Sequence, residues 1–249
     1  MPEHIIKKGG EAPAPAPSEA EQIRVLFREY GQPILIGLGL AAAFLLGFTA
    51  YKSYRQNSAL KAAQLLARAG SLEQLQQVVS QYPSTPSAPL ALLTVASRQF
   101  ENGQYELAQY TYSQFEQKYP KHPMKESAAL NRAQCLEAIG DLERAKEAYA
   151  AFADAHPDHY LTPPARLGVA RVLTQMQKLD EARTAYEDFL AAYPESGWTA
   201  AAENALEQVN RMKRAVEAGL PVPEFKALEA LAPAAGPLPS IPAAAEPAR

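Results

Sequence analysis

The pattern of hydrophobic and polar positions changes abruptly near one end of the chain. From Ile34 to Tyr51 no charged residue interrupts the apolar run, whereas further along apolar residues recur with helical spacing among charged ones. The residues from Ile34 to Tyr54, if helical, would rise about 31 Å, which matches a bilayer hydrocarbon core of about 30 Å. The pattern therefore predicts one transmembrane helix over 33–54.

Two other interpretations of this stretch are a buried core helix and a cleaved signal peptide. A core helix usually keeps a polar stripe, which Thr49 alone does not provide. A signal peptide starts with a short basic region and ends at a small-residue cleavage site, but here 32 residues come first and Phe48 blocks the best site. We therefore expect an uncleaved anchor, with Pro33 in its first turn, where its missing N–H would have no partner anyway.

The segments outside the anchor and the repeats differ in composition. Residues 1–17 end in an Ala-Pro run and residues 219–249 contain seven prolines, so both are expected to be disordered Pro/Ala segments. Over 18–32, Ser18 and Glu21 have the spacing of a capping box and an amphipathic period follows, which predicts a juxtamembrane helix. A docking helix for a partner is the alternative for 18–32.

Between the anchor and the tail the sequence repeats itself every 37 residues. Each interval holds two helical segments, such as Leu90 to Asn102 and Tyr105 to Lys118. The second carries a small alanine and an aromatic pair, and a proline ends it. Such a period predicts an all-α fold in which one transmembrane helix precedes an α-solenoid of helix hairpins. The recurring positions are Tyr82-Pro83, Tyr119-Pro120, His156-Pro157 and Tyr193-Pro194; Ala108, Ala145 and Ala182; Tyr112, Tyr149 and Tyr186; and Phe115, Phe152 and Phe189.

The repeat domain, 55–218, divides at these recurring positions. Gly103 and Gly140 follow the first helices of two units, where left-handed backbone is favoured, and Gln177 replaces the glycine of a third. The first unit matches with a spacing of 33 rather than 37 residues, so its second helix is expected to be about one turn shorter. The predicted units are about 55–86, 87–123, 124–160 and 161–197, followed by a capping helix over 198–216.

The residues around these turns resemble a known repeat family. The stretches GQYELA at 103–108 and GDLERA at 140–145, with the Tyr-Pro joins, resemble tetratricopeptide repeats. The 37-residue form is similar to the repeats of bacterial envelope proteins, including outer-membrane assembly lipoproteins. Arg132 and Arg166 fall in slots that such repeats usually fill with large apolar residues, so the packing of their units is expected to differ there.

The order of the segments carries a second resemblance. An amphipathic helix, an anchor that ends with Tyr51 and Tyr54, and then helical repeats are similar to the single-anchor ancillary subunit family of the Sec translocon. This resemblance implies a bacterial inner-membrane protein with a cytoplasmic N-terminus and a periplasmic repeat domain. The count of Lys and Arg beside the anchor weakly favours cytoplasmic repeats instead, since more of them follow it than precede it. We expect periplasmic repeats, as the resemblance implies. The residues counted are Arg24 and Arg28 before the anchor and Lys52, Arg55, Lys61 and Arg68 after it.

Composition argues against several function classes. A formal net charge of −3 lacks the basic excess of nucleic-acid-binding proteins, and the single Cys135 cannot close an intrachain disulfide. His156 and His159 form the tightest histidine cluster, but His156 fills a repeat position that holds tyrosine elsewhere, and a metal site needs more ligands. Cys135 lies within a first helix, so we expect a buried, inert thiol. No catalytic motif is recognisable, so we expect no enzyme activity, no metal and no cofactor.

Two candidate interaction surfaces remain. In the anchor, Gly39, Ala43 and Gly47 fall at i, i+4 and i+8, a spacing that would let two membrane helices pack closely into a homo-oligomer. In the repeats, first helices are expected to line a concave peptide groove, although its leucines fit an inter-helix core equally well. The candidate groove residues are Leu93, Ser97, Phe100, Leu130, Gln134, Glu137, Leu167, Arg171 and Thr174.

These features predict a membrane-anchored interaction scaffold or holding chaperone, and the second resemblance implies a role ancillary to the Sec translocon. It would bind protein or peptide partners by contact alone. The alternative is a structural subunit of another envelope complex, in cell division or outer-membrane assembly, which uses its convex face or its tail.

Overall fold

The structure is a computed structural model that describes residues 19–222 and 225, with the backbone alone for 19–32 and 34. Every regular element within these residues is an α-helix, so the predicted all-α class is confirmed. The helices are α1 (Glu19–Arg68), α2 (Leu72–Gln81), α3 (Ser87–Glu101), α4 (Tyr105–Lys118), α5 (Lys125–Ile139), α6 (Leu142–Ala155), α7 (Thr162–Gln175), α8 (Leu179–Ala192) and α9 (Thr199–Glu217).

Helix α1 runs without a break through the predicted anchor. The sequence predicted one helix over 18–32 and a second that starts at Pro33, but Pro33 lies inside the 50-residue α1. The expectation that Pro33 occupies a first turn was therefore wrong, because the helix continues on both sides of the backbone hydrogen bond that proline removes. The predicted capping box at Ser18 lies outside the described residues, as do 1–17 and most of the predicted tail.

The apolar part of α1 is exposed. The most apolar 18-residue window of the stretch Leu35–Arg68 has a mean hydropathy of 1.6, and 0% of that window is buried. This exposure argues against a core helix and leaves a helix of the kind found in membrane anchors and in signal sequences. Its exposed large side chains are Leu35, Ile36, Leu38, Leu40, Phe44, Leu45, Leu46 and Phe48.

Contacts divide the chain after Ser58, and the stacked hairpins all lie in the second part. From α2 onwards each helix packs against the next one along the chain. In addition α5 contacts α7 and α7 contacts α9, so first helices of successive hairpins lie side by side. We call the surface formed by α3, α5, α7 and α9 the first-helix face.

Small and aromatic residues explain why the hairpins close. Ala108, Ala145 and Ala182 are fully buried on the second helices, where the absence of a larger side chain lets two helices approach. The aromatic pairs that follow each alanine are also buried and fill the space towards the next hairpin. Each hairpin shares its apolar cluster with its neighbour, so the core is continuous along the stack.

The turn inside each hairpin follows the sequence pattern in three cases. Gly103 and Gly140 have φ angles of 73° and 89°, and Gln177 adopts the same left-handed region with φ 60°. The first unit is built differently, because Gly70 is not left-handed and α2 begins with a capping box between Ser71 and Gln74. The Gly70 N–H donates to the Gln74 Oε1 at 2.7 Å, which completes this alternative turn.

The joins between hairpins share one backbone arrangement. At each join the residue three positions after the recurring Tyr or His donates its N–H back to that residue's carbonyl. The side chain of this third residue then accepts a backbone N–H at three joins, through His122 Nδ1, His159 Nδ1 and Ser196 Oγ. The backbone N–H of the residue just before the next helix is therefore satisfied at these three joins.

Candidate functional site

The leucines predicted to line the groove lie in the core. Leu93, Leu130 and Leu167 are all buried and belong to three successive apolar clusters of the stack. Their stripe on the first helices therefore holds neighbouring helices together. Of the two interpretations left open for these three residues, burial favours the inter-helix core.

Two of the polar candidates form a buried ion pair between α5 and α7. Arg171 Nε donates to Glu137 Oε1 at 2.6 Å, and Arg171 Nη2 donates to Glu137 Oε2 at 2.6 Å. The Tyr149 hydroxyl donates to Glu137 Oε2 at 2.9 Å, and Gln175 Nε2 donates to Glu137 Oε1 at 2.6 Å. This bidentate geometry fixes one first helix against the next and leaves no net charge at the site.

The ion pair controls the protonation of the groups around it. Burial alone would lower the pKa of Arg171, but the Glu137 carboxylate more than offsets this and the pKa is raised. Burial, followed by the negative charge of Glu137, raises the pKa of Tyr149 well above its ordinary value. Burial likewise raises the pKa of Tyr186 to about 12. Arg171 therefore stays charged and the two tyrosines stay neutral across the physiological pH range.

The remaining candidates differ in exposure. Gln134 and Thr174 are buried, and Thr174 Oγ1 donates to the Ala170 carbonyl at 2.9 Å. Ser97 and Phe100 are half-buried on α3, and Ser97 Oγ donates to Glu101 at 3.2 Å. Phe100 packs edge-on against Tyr105 with ring centroids 5.1 Å apart. Among the nine predicted residues, Ser97 and Phe100 are therefore the most exposed.

A small cavity opens at the end of the first-helix face, between α7, α8 and α9. Its volume is about 40 Å³. Two predicted groove residues, Leu167 and Arg171, contribute to its wall. We call it the Trp198 cavity; its lining is Pro164, Leu167, Arg171, Tyr186, Trp198, Ala201 and Ala205. No sequence signal identified it, because Trp198 lies just outside the last repeat.

The two arginines in unusual repeat slots each pair with the preceding second helix. Arg132 Nε contacts Glu116 Oε1 at 2.8 Å, and Arg166 Nη2 contacts Asp154 Oδ1 at 2.9 Å. The predicted difference in packing is therefore an ion pair at the edge of the stack. Both pairs are partly exposed, so each contributes at most about 1 kcal/mol.

One second helix has an unusual exposed face. Leu107 and Tyr110 on α4 are 52% and 61% exposed. The equivalent positions 37 residues further on hold Arg144 and Glu147. This α4 surface, Leu107 and Tyr110, is therefore an apolar patch at a position where the next unit is charged.

The other predicted sites are placed as follows. Gly39, Ala43 and Gly47 lie on one exposed face of α1, and their packing against a second helix stays a prediction. Cys135 is fully buried, and burial raises the pKa of its thiol to about 12. Within the described residues no group of three or more His, Cys, Asp and Glu side chains could hold a metal ion.

Comparison with known proteins identifies the repeats. Residues 24–114 and 107–205 match the family described as tetratricopeptide repeat-like domain, which together is more than half of the chain. No curated protein matches the chain. A repeat fold of this kind is typical of proteins that bind other proteins, and no catalytic family is indicated.

Solved structures show the same fold at low sequence identity. A Podosopora anserina protein described as a kinesin light chain with nearly identical TPR-like repeats is 20% identical, with a TM-score of 0.50 over 72% of this chain and 87% of that one. A tetratricopeptide repeat protein from Parabacteroides merdae ATCC 43184 is 19% identical, with a TM-score of 0.47 over 63% of this chain and 60% of that one. This chain thus spans less than two thirds of the Parabacteroides protein.

Three findings indicate the same repeat fold: the hairpin geometry, the first helices that lie side by side, and the family match. This chain belongs to the tetratricopeptide repeat-like domain family.

Proposed function

We propose that this protein is a membrane-anchored scaffold or holding chaperone that binds polypeptide segments on its first-helix face. The observation that carries the proposal is the combination of an exposed apolar helix with a stack of repeats whose face ends in a cavity. Helical repeats of this kind bind extended or helical segments along such faces. The binding needs no catalysis, metal or cofactor.

The proposed location is the bacterial inner membrane, with the repeats in the periplasm and the protein ancillary to the Sec translocon. The support is the order of segments noted in the sequence. Protease added to intact inner-membrane vesicles of inverted orientation should spare the repeats, and digestion before the vesicles are opened would reject the proposed orientation.

A second candidate function is a structural role in another envelope complex. The α4 surface favours it, because Leu107 and Tyr110 are exposed on the side of the stack away from the first-helix face. Contacts there, or through the Pro/Ala tail, would hold a partner without occupying the groove. Removal of 222–249 would abolish partner binding only under this second function.

One pair of variants separates the two functions. Phe100→Glu places a charge on the half-buried first-helix face, and Tyr110→Glu is a matched change on the α4 surface. We expect crosslinking of unfolded polypeptides in membranes to fall for Phe100→Glu and to stay unchanged for Tyr110→Glu. The opposite result would support the structural role. Leu130 is unsuitable for such a test, because a charge at this buried position would disrupt the core.

A further inference from the structure

We propose that the protein's own C-terminal segment, 226–249, docks in the Trp198 cavity and competes there with external polypeptides. The inference rests on the proposed function, because it takes the first-helix face as a polypeptide-binding surface. Four observations support this occupant: the chemistry of the cavity, its size, the path of the chain after α9, and the composition of the segment.

The cavity suits an uncharged, proline-containing segment. Its lining is apolar and aromatic apart from Arg171, whose charge is already neutralised by Glu137 at 2.6 Å. Because Glu137 already pairs with Arg171, the site offers no net attraction to an anion. Aromatic walls such as Trp198 and Tyr186 are the surfaces on which extended proline-rich segments dock in other proteins.

The size of the cavity sets the size of the group that enters it. A volume of about 40 Å³ corresponds to roughly three water-sized groups, since one needs about 10–15 Å³ on the same scale. The ring of a proline or the side chain of a valine carries three carbon atoms beyond Cα. A larger side chain would not enter without displacing α9.

The chain turns back after α9 towards the same cluster. Gly219 has φ 66°, and the Leu220 N–H donates to the Ala215 carbonyl at 2.9 Å, which is a Schellman turn. Phe225 then packs against the apolar cluster to which Leu167, Tyr186 and Trp198 also belong. The segment that follows Phe225 therefore starts on the structure that forms the cavity wall.

The reach of the segment is sufficient. The 19 residues of α9 span about 28 Å, which bounds the distance from the turn after α9 back to Trp198 at its start. An extended chain covers about 3.3 Å per residue, so about nine residues past Phe225 bridge that distance. Those nine residues end at 234, inside the stretch ALAPAAGPLPSIPAAA at 230–245, which contains no charge.

Covalent attachment favours this occupant over free ligands. A tethered segment of this length has an effective concentration in the millimolar range, so even a weak contact is populated. Proline-rich chain also loses little entropy on docking, because it is already extended. An external polypeptide would then have to displace the segment from the end of the first-helix face.

Trp198 is the single tryptophan and reports on the cavity directly. The full chain in mild detergent is compared with a chain that ends at Phe225, by tryptophan emission and acrylamide quenching. We expect a red shift and stronger quenching in the shortened chain, and reversal by a synthetic 226–249 peptide at roughly millimolar concentration. Unchanged Trp198 emission and quenching on shortening would overturn the proposal.

Point variants provide the matched control. Pro237→Asp with Pro239→Asp in the full chain should reproduce the shortened chain, whereas Glu229→Gln with Glu246→Gln should behave as the unmodified protein. A signal that disappears on dilution would assign the occupant to a second copy, and so contradict the intramolecular arrangement.

The outcomes distinguish this inference from the proposed function. Equal capture of unfolded polypeptide by the full and shortened chains would reject the docked segment and leave the scaffold intact. A Trp198 response to 226–249 without any capture of external polypeptide would reject the scaffold and leave the docked segment.

Discussion

Gly168 on α7 lies directly against the ring of Tyr149, which belongs to the preceding hairpin. A Cβ atom added there would lie 2.8 Å from the ring of Tyr149, closer than side-chain carbons pack. Tyr149 cannot retreat freely, because its hydroxyl donates to Glu137 at 2.9 Å. The missing side chain of Gly168 is therefore what allows the aromatic residue of one repeat to fill the gap to the next.

We expect Gly168→Ala to lower the free energy of unfolding by about 1–3 kcal/mol, the usual cost of overpacking a core. Urea unfolding followed by helical circular dichroism measures the change. Gly197→Ala is the control, since nothing lies within 4 Å of a Cβ there. Equal effects of the two substitutions would show that the Tyr149 contact is not the cause.

Gln177 adopts a left-handed backbone that glycine adopts without strain. Its φ is 60°, in the position where the preceding two repeats have glycine. We expect Gln177→Gly to raise the free energy of unfolding by up to about 1 kcal/mol and Gly140→Ala to lower it by about as much. Thermal unfolding of both variants checks the direction of each change in stability. Destabilisation by Gln177→Gly would mean that the Gln177 side chain makes a contact that stabilises the fold by more than the backbone strain destabilises it.

At the scale of single elements, the sequence predicts second helices better than first ones. The predicted helix Tyr105–Lys118 has the bounds that the structure gives, because a turn glycine precedes it and a Tyr-Pro join follows it. Helix α3 begins at Ser87, ahead of the Leu90 expected from periodicity. Proline at position 89 is tolerated within its first turn, so that proline was no stop signal.

The candidate groove was less predictable than the helices. Positions facing a groove and positions facing a neighbouring helix share the same spacing, so periodicity could not separate Leu93 and Leu130 from accessible residues. The bidentate pairing of Glu137 with Arg171 joins residues 34 positions apart. Their partnership depends on how two hairpins stack, which no local pattern encodes.

The stability of the contact between α5 and α7 should depend on both members of the Glu137–Arg171 ion pair. Arg171→Met leaves Glu137 buried without its partner, and removing one member of a buried pair costs about 3–5 kcal/mol. Glu137→Leu combined with Arg171→Met should cost less than either single change. Urea unfolding of the three variants tests this order.

The exposed pair of Arg183 with Glu187 is the matched control for that cycle. Its side chains are 47% and 48% exposed, so Arg183→Met should cost at most about 1 kcal/mol. Single-variant losses no larger than this control would mean that the buried pair does not hold the two helices together.

For the whole molecule, the reactivity of the Cys135 thiol reports on unfolding of the repeat stack. It is the single cysteine, is fully buried between two hairpins, and has a pKa raised by burial to about 12. At pH 8 we expect native protein to react with a thiol reagent far more slowly than unfolded chain, because both access and thiolate are lacking. The rate should rise with urea in step with the loss of helix, and fast labelling of native protein would contradict the buried position.

When a solenoid is pulled at its two ends, the force passes through each contact between successive hairpins. These contacts differ in strength. Among the ion pairs of the described helices, the buried one between Glu137 and Arg171 links two first helices. The more exposed pair of Lys178 with Glu143 joins the same two hairpins, and the remaining pairs lie within a helix or between consecutive elements. If the stack is stretched between its two ends, hairpins on either side of the Glu137–Arg171 contact should detach first. The protein would then unfold in steps under force, and the segment from α5 to α7 would be the last part to unfold.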